Sequence, residues 1–177
     1  LSGLAHDPLL RDIFVPLAAG AQISIPAANQ LTDSAALLNW FAQEKITCTH
    51  LTPAMCRVLT AASSSTQIPD LRLAGFGGDR LTLDVVAALQ AIAPGAQAVN
   101  FYGTTETPQV MAVYPVPSEQ AVAGGTLPIG RGIEGVQIWS GCDCRPGLTT
   151  FQEQLAAYAS VSNDLNGNLR FSEILLT

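Results

Sequence analysis

The sequence Asn100-Phe101-Tyr102-Gly103-Thr104-Thr105-Glu106 gathers aromatic rings, a glycine, hydroxyl groups and a carboxylate into one short stretch. An apolar run through Ala96, Ala98 and Val99 precedes it and indicates a short buried strand. The polar and aromatic side chains are therefore predicted at the C-terminal end of that strand, where open α/β sheets bind their ligands. The alternative from the residues alone is a Gly-Thr-Thr turn followed by a surface glutamate.

The side chains of this stretch suit a nucleotide. Tyr102 offers a flat face to a base, and Gly103 permits a positive φ or a close approach of backbone to ligand. Thr105 and Glu106 could meet a phosphate and its magnesium ion, which prefers oxygen ligands. The stretch is therefore a candidate nucleotide site.

The segments on both sides alternate between helical and extended patterns. The predicted elements, in order, are a helix over 9–17, a strand over 21–25, a helix over 33–45, a strand over 46–51, a helix over 53–59, a strand over 71–76, a helix over 82–92 and a strand over 96–100. Shorter strands follow over 110–114 and 136–139, and these could be antiparallel. The alternation predicts an α/β fold, a mostly parallel sheet with covering helices.

Composition narrows the function classes. At 177 residues the chain suits one domain, and 48% hydrophobic with only 12% charged residues argues against disorder. A surface so poor in charge suggests that part of it is normally covered. The net charge is −6 and Lys45 is the sole lysine, so nucleic-acid binding has no electrostatic support. No signal-like segment and no span of roughly 20 apolar residues is present, which predicts a cytoplasmic chain with no membrane contact.

The cysteines do not indicate a metal site. Cys48 and Cys56 lie in apolar segments and are predicted to be buried free thiols. Cys142 and Cys144 form a C-x-C pair, which is poor zinc evidence without a second pair or a nearby histidine.

Three short segments, in this order, resemble a known family. Residues 100–106 resemble the N-x-Y-G-P-T-E motif of the adenylate-forming superfamily, most of all the adenylation domains of nonribosomal peptide synthetases. Phe76-Gly77-Gly78-Asp79 resembles the family's G-G-E turn, and Leu127-Pro128-Ile129-Gly130-Arg131 resembles its P-I-G-R element. The departures from the family pattern are Thr104 for proline, Asp79 for glutamate and Gly132 for the proline after P-I-G-R.

The resemblance implies ATP, or AMP after reaction, and Mg²⁺ as cofactors of the complete enzyme. It implies that Thr105 and Glu106 are catalytic, with Thr105 on the α-phosphate and Glu106 on Mg²⁺, and that Tyr102 stacks on adenine. The implied nucleotide-binding residues are Gly77, Gly78, Asn100, Phe101, Tyr102, Gly103 and Thr105. The alternatives are a turn-forming role for Asn100 and a tight strand-to-helix turn at Gly77-Gly78.

The resemblance also implies an acyl pocket. His6-Asp7-Pro8-Leu9-Leu10-Arg11 lies where the family carries F-D-x-S-x-x-E, so Asp7 would meet the α-amino group of an amino-acid substrate. The same register implies a pocket lined by Asp7, Pro8, Arg11, His50, Ala74, Phe76, Phe101, Gln109 and Val110. Arg11 and His50 in one cavity favour a carboxylate on the substrate, with glutamate or a close relative as the best choice. Alternatively, Arg11 pairs with Asp7 or Asp12 on a helix surface.

The resemblance covers about residues 2–139, so we interpret 1–139 as a partial adenylation domain and 140–177 as a tail of unknown character. The family's phosphate loop, ribose-binding aspartate and lysine domain are not found, and the isolated chain is therefore expected to be inactive. The implied function is a fragment of an amino-acid-activating adenylation domain, with a peptidyl carrier protein and the remainder of a synthetase as partners. Two alternatives stay open: a fragment of an acyl-CoA or aryl-acid ligase, and a non-catalytic α/β interaction module.

Overall fold

The computed structural model describes residues 8–62, 65–104, 110–117 and 125–136, and every structural statement below concerns these residues. Of the predicted strand over 136–139 and the tail over 140–177, only Val136 is among them. No helix in the described ranges is long and apolar enough to cross a membrane.

A five-stranded mixed sheet forms the centre of the fold, with its strands side by side in chain order. The strands are β1 Cys48–Leu51, β2 Leu73–Phe76, β3 Gln97–Tyr102, β4 Ala112–Pro115 and β5 Arg131–Gly132. The pairs β1–β2 and β2–β3 are parallel, whereas β4 and β5 are antiparallel to their neighbours. The predicted α/β fold, with a mixed sheet of mostly parallel strands, is confirmed. The strand predicted over 110–114 is also present and is antiparallel to its neighbour β3.

Five helices accompany the strands: α1 Pro8–Ala18, α2 Ala28–Leu31, α3 Ser34–Gln43, α4 Pro53–Thr60 and α5 Leu83–Ile92. Local sequence explains where two of them begin. The Asp33 carboxylate accepts hydrogen bonds from the first backbone N–H groups of α3, and the Thr52 hydroxyl accepts one from the Met55 N–H in α4. Pro53 occupies the first turn of α4, where its missing N–H costs nothing.

The hydrophobic core lies between one face of the sheet and the helices α3, α4 and α5. Helix α4 packs against both α3 and α5. The alternate residues of the parallel strands that face these helices, such as Ala74, Phe76 and Ala98, are buried. The largest fully buried side chains are Phe41, Phe76, Leu37, Leu38, Leu59, Ile68, Leu71, Leu81, Leu89, Val85 and Cys56.

Helix α1 meets the opposite face of the sheet and differs from the other long helices because none of its residues is buried. Its apolar residues Leu10, Phe14 and Leu17 are 56%, 62% and 57% exposed. Its described contacts with the sheet are made by polar residues of α1, given below.

The predicted strand over 21–25 is wrong. These residues are irregular, and Ile25 is 83% exposed. The N–H of Ala21 donates to the carbonyl of Pro16 at 2.8 Å, so the segment begins by closing α1 instead of pairing with a strand. Alternation of apolar and polar residues produces a strand only where a neighbouring strand supplies hydrogen bonds, and no described strand lies beside this segment.

Candidate functional site

The carboxyl ends of the three parallel strands bring two of the predicted motifs to one edge of the sheet. In the strand register Leu51 lies beside Phe76, and Phe76 beside Asn100. The N–H of Gly77 continues the pairing by donating to the Leu51 carbonyl at 3.2 Å. A Cβ atom on Gly77 would lie 3.5 Å from the carbonyl oxygen of Phe101, so the glycine turn runs alongside the end of β3.

Gly78 explains why this turn needs glycine. Its φ is +82°, in the left-handed region that side-chain-bearing residues rarely adopt. The nearest atom to an added Cβ would be 3.7 Å away, so the backbone conformation and not a lack of space requires glycine here. The predicted tight turn at Gly77-Gly78 is therefore present, and its role beside adenine stays a prediction.

Tyr102 ends β3 at the same edge, directly before Gly103. Its hydroxyl group is buried, and no residue in the described ranges makes a hydrogen bond to it. A buried hydroxyl without a partner is uncommon in folded proteins, and one explanation is a ligand group that completes the site. Tyr102 and the Gly77-Gly78 turn therefore fit one side of a nucleotide site.

Asn100 has a structural contact that its motif does not reveal. The residue is 5% exposed, and its side-chain amide donates to the Pro128 carbonyl at 2.8 Å. The bond ties β3 to the Leu127-Pro128-Ile129-Gly130 segment, so the first and third sequence motifs are joined in space. The side-chain amide of Asn100 therefore helps to hold the fold together.

Gly130 closes this third motif against the sheet. Its φ is +89°, and a Cβ atom there would overlap the carbonyl group of Val113 in β4. Both the backbone conformation and the close approach exclude a side chain. The structure thus gives a packing reason for this glycine of the P-I-G-R element.

A second group of predicted residues meets on the opposite face of the sheet, beneath α1. The rings of His50 in β1 and Phe101 in β3 have centroids 5.8 Å apart. Gly75 of β2 lies between them, and a Cβ atom there would overlap both rings. The missing side chain of Gly75, which the motifs did not indicate, makes room for the two rings.

Helix α1 supplies two charged residues to these rings, and we call Arg11, Asp12, His50 and Phe101 the Arg11–His50 cluster. The guanidinium carbon of Arg11 lies 5.9 Å from the centroid of the Phe101 ring, within the range of a cation–π contact. Nδ1 of His50 lies 2.8 Å from Oδ1 of Asp12, and Nε of Arg11 lies 3.4 Å from the same oxygen. The expected meeting of Arg11, His50 and Phe101 and the alternative Arg11–Asp12 pair therefore occur together.

The pKa of the Cys48 thiol depends on the charges beside this cluster. Desolvation raises the pKa of its thiol, and the negative charge of Asp12 raises it further, against smaller opposing effects of Arg72 and Arg11. Cys48 is two residues before His50 in β1 and so projects to the same face of the sheet. It is exposed, contrary to the predicted burial, whereas Cys56 is buried as predicted.

Two predicted pocket residues lie elsewhere. Ala74 and Phe76 are fully buried in the core on the face that packs against α4 and α5, so the structure does not bring them to the Arg11–His50 cluster. Pro8 begins α1 one turn before Arg11, and Val110 precedes Met111, whose N–H donates to the Tyr102 carbonyl at 2.7 Å. The other predicted site residues, Asp7, Thr105, Glu106 and Gln109, lie outside the described residues.

The chain is similar to proteins whose names describe an activity. The chain is 41% identical over 144 residues to the L-2-aminoadipate reductase large subunit of Eremothecium gossypii, and equally so to the L-2-aminoadipate reductase of Schizosaccharomyces pombe. It is 27% identical over 135 residues to tyrocidine synthase 3 of Brevibacillus parabrevis, a match that covers 76% of this chain and 2% of that protein. The two reductase matches cover 78% of this chain, which spans about a tenth of the length of those relatives.

Solved structures of a nonribosomal peptide synthetase are also similar to this chain. The nonribosomal peptide synthetase FmoA3 superposes with a TM-score of 0.66 at 28% identity, over 75% of this chain and 14% of that chain. Its form bound to α-methyl-L-serine-AMP gives a TM-score of 0.65 at the same identity, over 75% of this chain and 15% of that chain. The AMP-binding enzyme family matches residues 1–138. The chain belongs to the AMP-binding enzyme family, within the adenylate-forming superfamily.

Proposed function

We propose that this chain is the amino-acid-recognising part of an adenylation domain that activates an acidic amino acid. The carboxylate of the amino acid attacks the α-phosphate of ATP, which forms an aminoacyl adenylate and releases pyrophosphate. The aminoacyl group is then transferred to the thiol of a carrier protein, and AMP leaves. The reaction brings two anionic reactants into one site. The protein must therefore mainly position them and offset their negative charge.

The observation that carries the substrate class is the Arg11–His50 cluster. The Arg11 guanidinium and the His50 imidazole meet beside the Phe101 ring on the face of the sheet away from the core. Guanidinium groups bind carboxylates with directed, charge-assisted hydrogen bonds. The side chains of Arg11 and Asp12 are each 19% exposed and that of His50 is 21% exposed, so a carboxylate bound here would be only partly screened by water.

The relatives support a substrate slightly longer than glutamate. Two relatives with 41% identity are named for L-2-aminoadipate, which carries a second carboxylate one methylene further from its α-carbon than glutamate does. We therefore propose L-2-aminoadipate as the preferred substrate. Asp7 would hold its ammonium group, and the Arg11–His50 cluster its side-chain carboxylate.

The nucleotide would bind at the carboxyl edge of the parallel strands. Tyr102 and the Gly77-Gly78 turn fit one side of an adenine slot, because they lie at one edge of the sheet and the Tyr102 hydroxyl lacks a partner in the described ranges. Thr105 would contact the α-phosphate, and Glu106 would hold Mg²⁺. The bound ion would supply positive charge next to the phosphates.

Three matched substrates test this proposal by ATP–pyrophosphate exchange in the complete protein that carries this chain. L-2-aminoadipate should give the highest kcat/KM, and its 6-amide, which has the same shape without the charge, should fall by tenfold or more. Adipate, which lacks the amino group, should give background exchange. Equal rates with the acid and the amide would overturn the acidic-substrate proposal, and exchange with adipate would favour an acyl ligase.

The isolated 177-residue chain provides a further control. We expect its pyrophosphate exchange to stay at background with all three compounds, since it spans about a tenth of the length of its reductase relatives. Substrate-dependent exchange by this chain alone would contradict the proposal that it is one part of the catalytic unit.

A further inference from the structure

Asp12 presents a physical difficulty for a site that binds a carboxylate. Its Oδ1 atom lies 2.8 Å from His50 and 3.4 Å from Arg11, the two side chains proposed to meet the substrate's negative charge. A like charge at this distance weakens the binding of an acidic ligand, the more so where water is partly excluded. A carboxylate in this position must therefore contribute something that outweighs the repulsion.

The contact with His50 is the stronger of the two. The Nδ1–Oδ1 distance of 2.8 Å is that of a good charge-assisted hydrogen bond, and it joins residues 38 positions apart in the sequence. The Arg11 contacts, 3.4 Å from Nε and 3.5 Å from a terminal nitrogen, are at the outer limit for hydrogen bonds and join neighbouring residues. Of these two partners, Asp12 therefore binds the imidazole more strongly.

The hydrogen bond determines two properties of the imidazole. An ionised carboxylate only accepts, so the proton between the two groups belongs to Nδ1, and the partner of one ring nitrogen decides the chemistry of the other. The bond also sets the rotation of the ring, which lies beside the Phe101 ring and over Gly75. Nε2, on the opposite edge of the ring, is then held in one direction.

We propose that Asp12 is a positioning residue, which holds the His50 ring through Nδ1 so that the Nε2–H of its imidazolium form donates to the side-chain carboxylate of the substrate. The role rests on the proposed activation of an acidic amino acid. It uses the principle by which carboxylates orient the histidine ligands of metal ions, applied here to an organic anion.

Nitrogen NMR of the histidine rings tests the positioning directly in the 177-residue chain. The chain has two histidines, so ¹⁵N-histidine labelling gives two ring systems, and His6→Gln assigns them. In its neutral form the His50 ring should carry its proton on Nδ1, and Asp12→Ala should move that proton largely to Nε2. The charge-matched control Asp70→Asn, in an exposed turn, should leave the His50 signals unchanged. A His50 proton on Nε2 in the unmodified chain, or no change in Asp12→Ala, would overturn the proposal.

The sign of the effect on selectivity separates positioning from simple electrostatics. In the complete protein, Asp12→Asn keeps the shape of the side chain and removes its charge. If Asp12 only repelled the ligand, this change would strengthen the binding of L-2-aminoadipate relative to its 6-amide. Positioning predicts the opposite, a loss of about tenfold in that ratio, mainly through KM, because the ring loses its charge-assisted hydrogen bond. Asp12→Glu should restore part of the ratio.

The outcomes distinguish this proposal from the function on which it rests. If the unmodified protein does not prefer the acid to its amide, the proposed substrate class fails, while the NMR result still decides whether Asp12 holds His50. If the unmodified protein prefers the acid and Asp12→Asn keeps or raises that preference, the positioning role alone is overturned. Asp12→Asn is nearly isosteric, and a dispersed NMR spectrum of the variant would show that it is folded.

Discussion

The side-chain amide of Asn100 donates a 2.8 Å hydrogen bond to the Pro128 carbonyl and so joins two motifs 28 residues apart. Because Asn100 is 5% exposed, Asn100→Ala should leave that carbonyl without its partner. We expect the free energy of unfolding to fall by about 1–3 kcal/mol, measured by urea denaturation. The control Asn29→Ala, at an exposed position of α2, should change it little. Equal stability of the two variants would show that the bond contributes nothing.

Three glycine-to-alanine substitutions separate backbone strain from steric overlap. No atom lies within 4 Å of a Cβ atom added at Gly95, so Gly95→Ala should leave the stability nearly unchanged. Gly20 has a φ of +67° with no atom within 4 Å of an added Cβ, so Gly20→Ala should cost only about 1–2 kcal/mol of backbone strain. Gly130→Ala adds overlap with the Val113 carbonyl to a φ of +89° and should cost the most. Thermal unfolding of the three variants would contradict this ranking if Gly130→Ala were no less stable than Gly20→Ala.

Gly75→Ala should impair recognition more than folding. An added Cβ would overlap the rings of Phe101 and His50, and rings can turn away where a backbone carbonyl cannot. We therefore expect kcat/KM for L-2-aminoadipate in the complete protein to fall by at least about tenfold, because small displacements in a site are costly. The melting temperature should change less than in Gly130→Ala. An unchanged kcat/KM would mean that the ring pair takes no part in recognition.

The cysteines provide a chemical measure of the charges around α1. Burial raises the pKa of Cys56 to about 12, so its thiol should resist iodoacetamide at pH 8 until the protein unfolds. Cys48 is exposed and should react first. Because the charge of Asp12 is one cause of the raised pKa of Cys48, Asp12→Asn should lower that pKa, increase the thiolate fraction at pH 8 and speed the labelling. Peptide mapping distinguishes these sites from Cys142 and Cys144, and Cys56 reacting as fast as Cys48 would be inconsistent with its burial.

Arg11→Ala tests the charge that the proposed substrate requires. In the complete protein, kcat/KM for L-2-aminoadipate should fall about 10- to 100-fold, since hydrogen bonds to charged groups are worth roughly 1.5–3 kcal/mol. The value for the 6-amide should change far less. The control Arg57→Ala removes an exposed arginine that pairs with Asp84 between α4 and α5, and it should leave the ratio of the two substrates unchanged. Equal losses on both substrates would make Arg11 a structural residue.

Much of the fold was predictable from the sequence because its signals are local. Apolar periodicity and turn residues gave the order of helices and strands, and helices between strands require a mostly parallel sheet. The strand predicted over 21–25 failed because pairing depends on a neighbour, and nothing in those five residues shows whether one exists. The short helix α2 was not predicted, because its four residues are too few to show a periodic apolar pattern.

The candidate site was predictable in part. Resemblance to the family predicted that Arg11, His50 and Phe101 lie near one another, and their side chains do so in the structure, while their role in a substrate pocket stays a prediction. It did not fix which face of β2 each residue occupies, and a shift of one residue exchanges Ala74 and Phe76 for Gly75 and Gly77. Asp12 was considered only as a partner of Arg11, since its bond to His50 crosses 38 residues and leaves no trace in local sequence.

Helix α1 has no buried residue, and the described contacts that hold it to the sheet are those of the Arg11–His50 cluster. A segment with so little buried apolar surface opens at a lower free energy than the core of the same protein. We therefore expect the amides of α1 to exchange with solvent hydrogen faster than those of β1 to β3. The proposed recognition of the substrate side chain would therefore be lost by local opening of one helix, while the strands beside the proposed nucleotide edge stayed folded.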